Sequence, residues 1–187
     1  DDRLRVSFLD VGQGDATFIV TPGGQQILVD GGPDGDRLVH LVGERMPFMD
    51  RTIELVVLTH AHSDHVNGLI ELLRRYDVKH ILERRTGFDS PQYDAWRRAV
   101  EEEGAEVTQA SAGQVIAMGD GVFLSVVSPA DKLLAGTRSD VDNASVVVRL
   151  VYGDISFLLT GDVFGEGESA LLDSGANIDS DVLKVGH

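Results

Sequence analysis

The run Leu55-Val56-Val57-Leu58-Thr59 passes directly into His60-Ala61-His62-Ser63-Asp64-His65, and no other segment constrains the chain as much. A continuous apolar run bounded in this way predicts a strand buried on both faces, with layers packed above and below it. The residues after it are then delivered to the end of a buried strand. Three imidazoles and a carboxylate crowd into one short turn there, and burying so many polar groups is costly unless each finds a partner. A divalent cation is such a partner, because neutral imidazole nitrogen and carboxylate oxygen are its ordinary ligands. Half of the six histidines sit in this turn. The competing reading is a solvated His-rich loop.

Around this segment the pattern alternates between strands and helices. Leu4 to Leu9 reads as a strand ending in the Gly-rich turn Asp10-Val11-Gly12-Gln13-Gly14-Asp15. Ala16 to Val20 and Gln26 to Val29 form a hairpin around Thr21-Pro22-Gly23-Gly24, and Asp30-Gly31-Gly32-Pro33 breaks its second strand. Helices are predicted over Asp36 to Arg45, Gly68 to Arg75 and Glu168 to Leu172. A further helix has Ser90 as N-cap, Pro91 at its first position, Gly104 as its stop, and Trp96 and Val100 on one face. Val78 to Leu82, Glu106 to Gln109, Gln114 to Met118 and Gly121 to Val127 read as strands. Ser145 to Val151 and Ile155 to Thr160 read as a hairpin, and Val182 to Val185 as a last strand. Strand runs on both sides of an αβ stretch imply two sheets packed face to face with helices outside.

At 187 residues the chain suits one domain with a sizeable core. It contains no Cys, so disulfides and thiolate ligands are excluded and any metal is held by N and O donors. No apolar run approaches the roughly 20 residues that span a bilayer. The net charge of −15 argues against non-specific grip on nucleic-acid phosphates, which normally uses a basic face. The basic residues do gather in one stretch, Arg74, Arg75, Lys79, Arg84, Arg85, Arg97 and Arg98. That stretch reads either as solvated helix faces or as a patch for a polyanion.

Spacing inside the His-rich turn separates the ligands. His60 and His62 alternate and can face one cation, whereas Asp64 and His65 can reach a second. Paired cations about 3.5–4 Å apart are a common device for hydrolysis. Asp162 follows the apolar Leu158-Leu159 and breaks at Gly161, which places it to bridge such a pair. Asp30 has the same local shape and is expected to orient a ligand His from behind. Both also fit simple turn residues.

In order and spacing, Asp30-Gly31, His60-x-His62-x-Asp64-His65, Thr160-Gly161-Asp162 and Lys184-Val185-Gly186-His187 resemble the metallo-β-lactamase superfamily along the whole chain. The resemblance implies an α/β (α+β) fold, a four-layer αββα sandwich with the metal site at one edge. More narrowly, Phe8-Leu9-Asp10-Val11-Gly12-Gln13-Gly14-Asp15-Ala16, Asp142-Asn143-Ala144-Ser145-Val146-Val147, Leu158 to Asp162 and Leu183 to His187 look like the soluble hydrolase domain of the ComEC family of competence DNA-uptake channels. That family continues past the position of His187 with a second His, Gly and Ser. Residues 1–187 are therefore expected to be a single, C-terminally truncated domain. It would be a fragment of a larger membrane protein, on the extracytoplasmic side, partnered by the channel portion and making no lipid contact itself.

The resemblance implies metal ligation by His60, His62, Asp64, His65, Asp162 and His187, with Asp30 behind them. The wider superfamily's third His on the first metal is missing. His80, the sole His in that interval, falls inside a predicted strand and reads as a packed or surface residue. Asp142 or Asn143 would complete a more oxygen-rich site; the alternative is a pair of turn residues. Such a site favours Mn²⁺ or Mg²⁺ relative to Zn²⁺, with one or two cations bound. Asp15 is read as a substrate-contacting or supporting group, and Lys184 as a residue near a phosphate or Asp162. Asp64 is the expected acceptor of the attacking water's proton if one metal is bound. The activity implied is a metal-dependent phosphodiesterase acting on DNA, degrading one strand during uptake. The alternatives are a hydrolase of a small ester, thioester or phosphodiester, or a non-catalytic module that binds DNA or a partner.

Overall fold

The computed structural model describes residues 3–186. The first sheet contains β1 (Arg5–Phe8), β2 (Thr17–Val20), β3 (Gln26–Val29), β4 (Thr52–Val57), β5 (Asp77–Glu83) and β6 (Glu106–Gln109), adjacent in that order. β1 to β3 are antiparallel, and β3 to β6 run parallel. Parallel neighbours need crossovers. These are the helices α1 (Gly35–Gly43), α2 (Ser63–Leu73) and α3 (Pro91–Glu103). The second sheet, in the order β11-β10-β9-β8-β7, contains β7 (Val115–Ala117), β8 (Val122–Ser128), β9 (Val147–Tyr152), β10 (Ile155–Leu159) and β11 (Val182–Lys184). A short helix, α4 (Glu166–Asp173), precedes β11.

Alternation along the buried strands divides the core. Phe18, Val20, Leu28 and Val56 pack with Leu38, Val42, Leu69, Leu72 and Trp96 under the three crossover helices. Their neighbours Ile19, Ile27, Val29, Leu55 and Val57 point the other way and meet Leu124, Val126, Val148 and Leu150 of the second sheet. On the far side of that sheet, Val147 and Leu158 receive Leu171 of α4. The layers are thus helix, sheet, sheet, helix. This is the expected αββα sandwich, and β4 is apolar throughout its second half because both faces are covered.

Most elements lie within a residue or two of their predicted spans. Ser90 caps α3 by accepting from Tyr93 N, and Gly104 ends it at φ 75°. The start of α2 differs. A helix was expected from Gly68, but α2 begins at Ser63, with His62 as its N-cap. The His-rich segment is therefore half turn and half helix. The run Val66, Leu69, Leu72 and Leu73 buries one face of α2, and extending it back by one turn puts Asp64 at the positive end of the helix dipole. Among the described residues no helix is long and apolar enough to cross a membrane.

Candidate metal centre

Parallel β3 and β4 end side by side, which brings Asp30 next to Thr59 and His60. Asp30 has φ 58° and is 1% exposed. Its carboxylate accepts from Thr59 N at 2.8 Å, from the Thr59 hydroxyl at 2.7 Å, and from His65 Nδ1 at 2.8 Å. Because the Thr59 hydroxyl gives its proton to Asp30, its lone pairs are left to accept from His60 Nδ1, 3.0 Å away. One buried carboxylate thus sets the orientation of both rings. Each keeps its proton on Nδ1 and turns the Nε2 lone pair inward.

Two loops from the second sheet complete the ring of donors. Asp142 Oδ1 lies 2.9 Å from His62 Nδ1 and 3.4 Å from His60 Nε2. Asp162 Oδ2 lies 3.3 Å from His65 Nε2 and 3.9 Å from His60 Nε2. Two ligand groups follow, His60-His62-Asp142 and His60-His65-Asp162, which share His60. A third, Asp15-Asp30-His65, adjoins them. His60 Nε2, His65 Nε2 and Asp142 Oδ1 are buried without a hydrogen-bond partner among the described residues. Three such atoms converging on one place would be costly in a protein with nothing bound there. Ligand atoms on one tetrahedral cation, about 2.1 Å from it, lie about 3.4 Å apart, within the 2.9–3.9 Å range seen here. The donor set therefore fits divalent cations.

Burial, together with the His65 and His62 charges, holds the His60 imidazole well below its ordinary range, against a smaller opposing pull from Asp162. Burial also draws His65 down, but Asp30 and Asp162 together outweigh it and hold that ring at about 10. Without a cation, His65 carries a proton where the lone pair would otherwise be, so metal and proton compete for it.

The loops are held by specific contacts. Gly161, at φ 56°, passes so close that a Cβ there would lie 2.8 Å from Thr59 Cβ and 3.0 Å from Ser145 Cβ. Asp162 N donates to Ser145 Oγ at 3.4 Å. Gly14, at φ 86°, lets the β1–β2 turn approach α2; a Cβ there would be 1.9 Å from the Asp64 carbonyl oxygen. Lys184 joins that turn to the Asp162 loop, donating to Asp15 Oδ2 and, at 3.3 Å, to Gly161 O. Burial pulls the Lys184 ammonium down to about 8.

The sequence-predicted residues divide as follows. The structure brings together His60, His62, His65, Asp142 and Asp162, with Asp30 behind them and Asp15 and Lys184 beside them. Of the pair Asp142 and Asn143, only Asp142 faces the histidines. Both lie in one 3-10 turn, Asp142–Ala144, where successive side chains diverge by about 120°. Asn143 instead accepts from Phe164 N at 3.3 Å and donates weakly to Glu166 at 3.5 Å. Asp64, the second residue of α2, belongs to none of the three groups. His187 lies outside the described residues. His80 is exposed on β5 beside Glu106, 3.5 Å away, and joins no ligand group.

Most residues of the basic stretch have partners within the protein. Arg74 and Arg75 pair with Glu71, Lys79 with Asp77, Arg85 with Glu83 and Arg97 with Asp94, while Arg84 donates to the carbonyls of Ala110 and Asp131. Sequence reasoning missed Thr59, whose signal is its place between the strand and His60. It also missed Phe88, which meets His62 edge-on with ring centroids 5.5 Å apart.

Comparison with known proteins agrees with this geometry. The family model described as the metallo-beta-lactamase superfamily matches residues 9–187. ComE operon protein 3 of Bacillus subtilis (strain 168) is 30% identical over 198 residues, covering 97% of this chain. The chain spans only 25% of that relative's length. Exodeoxyribonuclease WalJ of Streptococcus pneumoniae is 30% identical over 77 residues, covering 40% of this chain and 28% of WalJ. Among solved structures, MEM-A1, a subclass B3 metallo-beta-lactamase from a soil metagenome library, has a TM-score of 0.63 at 16% identity. That match covers 98% of this chain and 76% of MEM-A1, and it shows the shared fold.

Proposed function

This chain belongs to the metallo-beta-lactamase superfamily of metal-dependent hydrolases, and we propose that its substrate is the phosphodiester backbone of DNA. The observation that carries the reading is the cluster of His60, His62 and His65 with two carboxylates, in which Asp142 and Asp162 each bring an oxygen donor to the buried His60 Nε2. Divalent cations held by such a cluster suit displacement at phosphorus, and oxygen donors favour Mn²⁺ or Mg²⁺ relative to an all-imidazole site. The likeness to ComE operon protein 3 over 97% of the chain supports a role in competence, and the shorter likeness to WalJ supports DNA as substrate. In this reading the chain is one part of a longer membrane protein. It works outside the cytoplasm beside a channel portion, and degrades one strand as the other enters.

Divalent cations bound here supply a water nucleophile of lowered pKa and neutralise charge on the phosphoryl oxygens. The protein's own residues set the frame. Asp30 fixes the His65 tautomer directly and that of His60 through Thr59. Asp142 and Asp162 bring the negative charge that holds cations in a buried place. Lys184, steadied by Asp15 and Gly161 O, offers an ammonium at the edge of the site to a phosphate oxygen. Asp64, half-buried in the first turn of α2, is assigned the water's proton when a single cation is bound.

The test is incubation of the purified chain with single- and double-stranded DNA in Mn²⁺, Mg²⁺, Zn²⁺ or EDTA. Asp162→Asn and Asp64→Ala serve as controls. Cleavage that needs metal and disappears in both variants is expected. If no metal supports cleavage while a small ester or thioester is turned over, DNA is the wrong substrate and the hydrolase assignment alone stands.

A further inference from the structure

We infer that Arg138, stacked on Phe164 at the rim of the metal centre, is a substrate-anchoring residue that grips a phosphate flanking the one being cleaved. Its guanidinium carbon lies 5.7 Å from the Phe164 ring centroid, within cation–π range. Arg138 is exposed and has no carboxylate partner among the described residues. Both neighbouring acids are committed elsewhere. Asp140 turns back on its own loop, accepting from Gly136 N at 3.0 Å, from Thr137 N at 2.7 Å and from Thr137 Oγ1 at 2.8 Å. Asp142 faces His60 and His62. The loop thus presents a cation while consuming the carboxylates on either side of it.

The placement is not left to a floppy surface chain. Ser139 ties the loop to the metal centre, its carbonyl accepting from Asn143 N at 3.1 Å and its hydroxyl from Asp142 N at 3.3 Å. Phe164 is tied to the same segment, since its N–H donates to Asn143 Oδ1. It also lies two residues past Asp162, so their Cα atoms are at most about 7.6 Å apart. Arg138 and Phe164 therefore move with Asp142 and Asp162 as one unit. This gives Asn143 its use: it locks the anchoring platform to the ligand loop.

The chemistry points to phosphate. A protein of net charge −15 repels a polyanion unless local cations receive it. Arginine on an aromatic face holds its planar fork in a fixed plane, the geometry for two parallel bonds to a phosphate. Arg138 belongs to none of the ligand groups, which assigns it to a neighbouring phosphate and not to the reacting one. The inference rests on the phosphodiesterase reading, and the experiment separates the two.

Oligonucleotide binding by the Mn²⁺-loaded chain is measured by fluorescence anisotropy across a NaCl series, for wild type, Arg138→Gln and Arg138→Lys. Hydrolysis of the oligonucleotide and of bis(p-nitrophenyl) phosphate is followed in parallel. Arg138→Gln should lose about tenfold in affinity, and its log–log salt slope should fall by about 0.7 for single strands. Its loss in kcat/KM should be about tenfold larger on the oligonucleotide than on the small diester, which has no flanking phosphate. Arg138→Lys should keep the salt slope and recover part of the affinity. An unchanged affinity and slope in Arg138→Gln, with DNA still cleaved, overturns the role of Arg138 and spares the nuclease reading. Arg138-dependent binding without hydrolysis of either diester supports the anchor and overturns the nuclease reading. Wild type that binds no oligonucleotide at low salt overturns the anchor as well.

Discussion

Replacing Asp30 by Asn should disarm the metal centre without touching any atom that faces a cation. The substitution keeps the shape, and Asn tolerates the φ of 58° found there. What changes is the count of acceptors. Asp30 takes three protons on two oxygens: Thr59 N on Oδ1, and the Thr59 hydroxyl and His65 Nδ1 on Oδ2. An amide has one acceptor oxygen and one NH₂. If the NH₂ replaces Oδ1, it opposes the Thr59 N–H, and a buried donor left unpaired costs about 1–3 kcal/mol. If it replaces Oδ2, Thr59 and His65 must become acceptors. His65 then carries its proton on Nε2, and the Thr59 hydroxyl turns its own proton toward His60 Nδ1, which moves the His60 proton to Nε2. Both rings then present N–H to the cation. Outer residues of this kind cost about 10–100-fold in metal affinity when altered, or about 1.4–2.7 kcal/mol. Chelator competition with Zn²⁺ or Mn²⁺ measures the affinity, and ¹⁵N-edited spectra of the histidines report the tautomers. Thr59→Val, which breaks only the branch to His60, should show a smaller loss and one flipped ring. An Asp30→Asn protein that binds metal within twofold of wild type, with both Nε2 atoms unprotonated, refutes the reasoning.

Three further outcomes follow from the same contacts. Without metal, the His65 ring is held at about 10 against an ordinary value near 6.5, so its contribution to stability is complete below about pH 6.5 and fades as pH rises through about 10. In EDTA, the difference in Tm between wild type and His65→Gln should shrink from pH 6 to pH 10; a gap that widens contradicts the pairing with Asp30 and Asp162. Asp142→Ala should lower metal affinity and stoichiometry, whereas Asn143→Ala should cost about 1–3 kcal/mol of stability by orphaning Phe164 N, with metal titration and urea unfolding separating the two. Trp96→Phe removes the indole N–H that donates to buried Glu83 at 2.8 Å; urea unfolding should show a loss of about 1–3 kcal/mol with metal affinity unmoved, since the pair belongs to the helix-side core.

Local signals carried far in this chain where one element answers to one stretch of residues. The doubly buried β4 follows from its unbroken apolar run, and α3 from Ser90, Pro91 and Gly104, because burial on two faces and helix capping are written into adjacent positions. The start of α2 was less legible. Ser63-Asp64-His65 looks like ligand-bearing turn chemistry, but packing of Val66 and Leu69 draws those residues into the helix. The basic stretch was legible in part: five of its members find carboxylates two to four residues away, a spacing the sequence displays, whereas the bonds of Arg84 to the Ala110 and Asp131 carbonyls come only with the fold.

Residue order by itself determined the donor types, the absence of thiolate ligands, the layering and the strand ends at which the polar residues emerge. Tertiary structure alone decided which donors meet. It chose Asp142 over Asn143, coupled Asp30 through Thr59 to His60, and set Arg138 on Phe164 beside the loop that carries Asp142. The physical reason is that a ligand group is a matter of ångströms between loops of separate sheets. Periodicity fixes which face a side chain takes, but only packing of the two sheets fixes what it finds there.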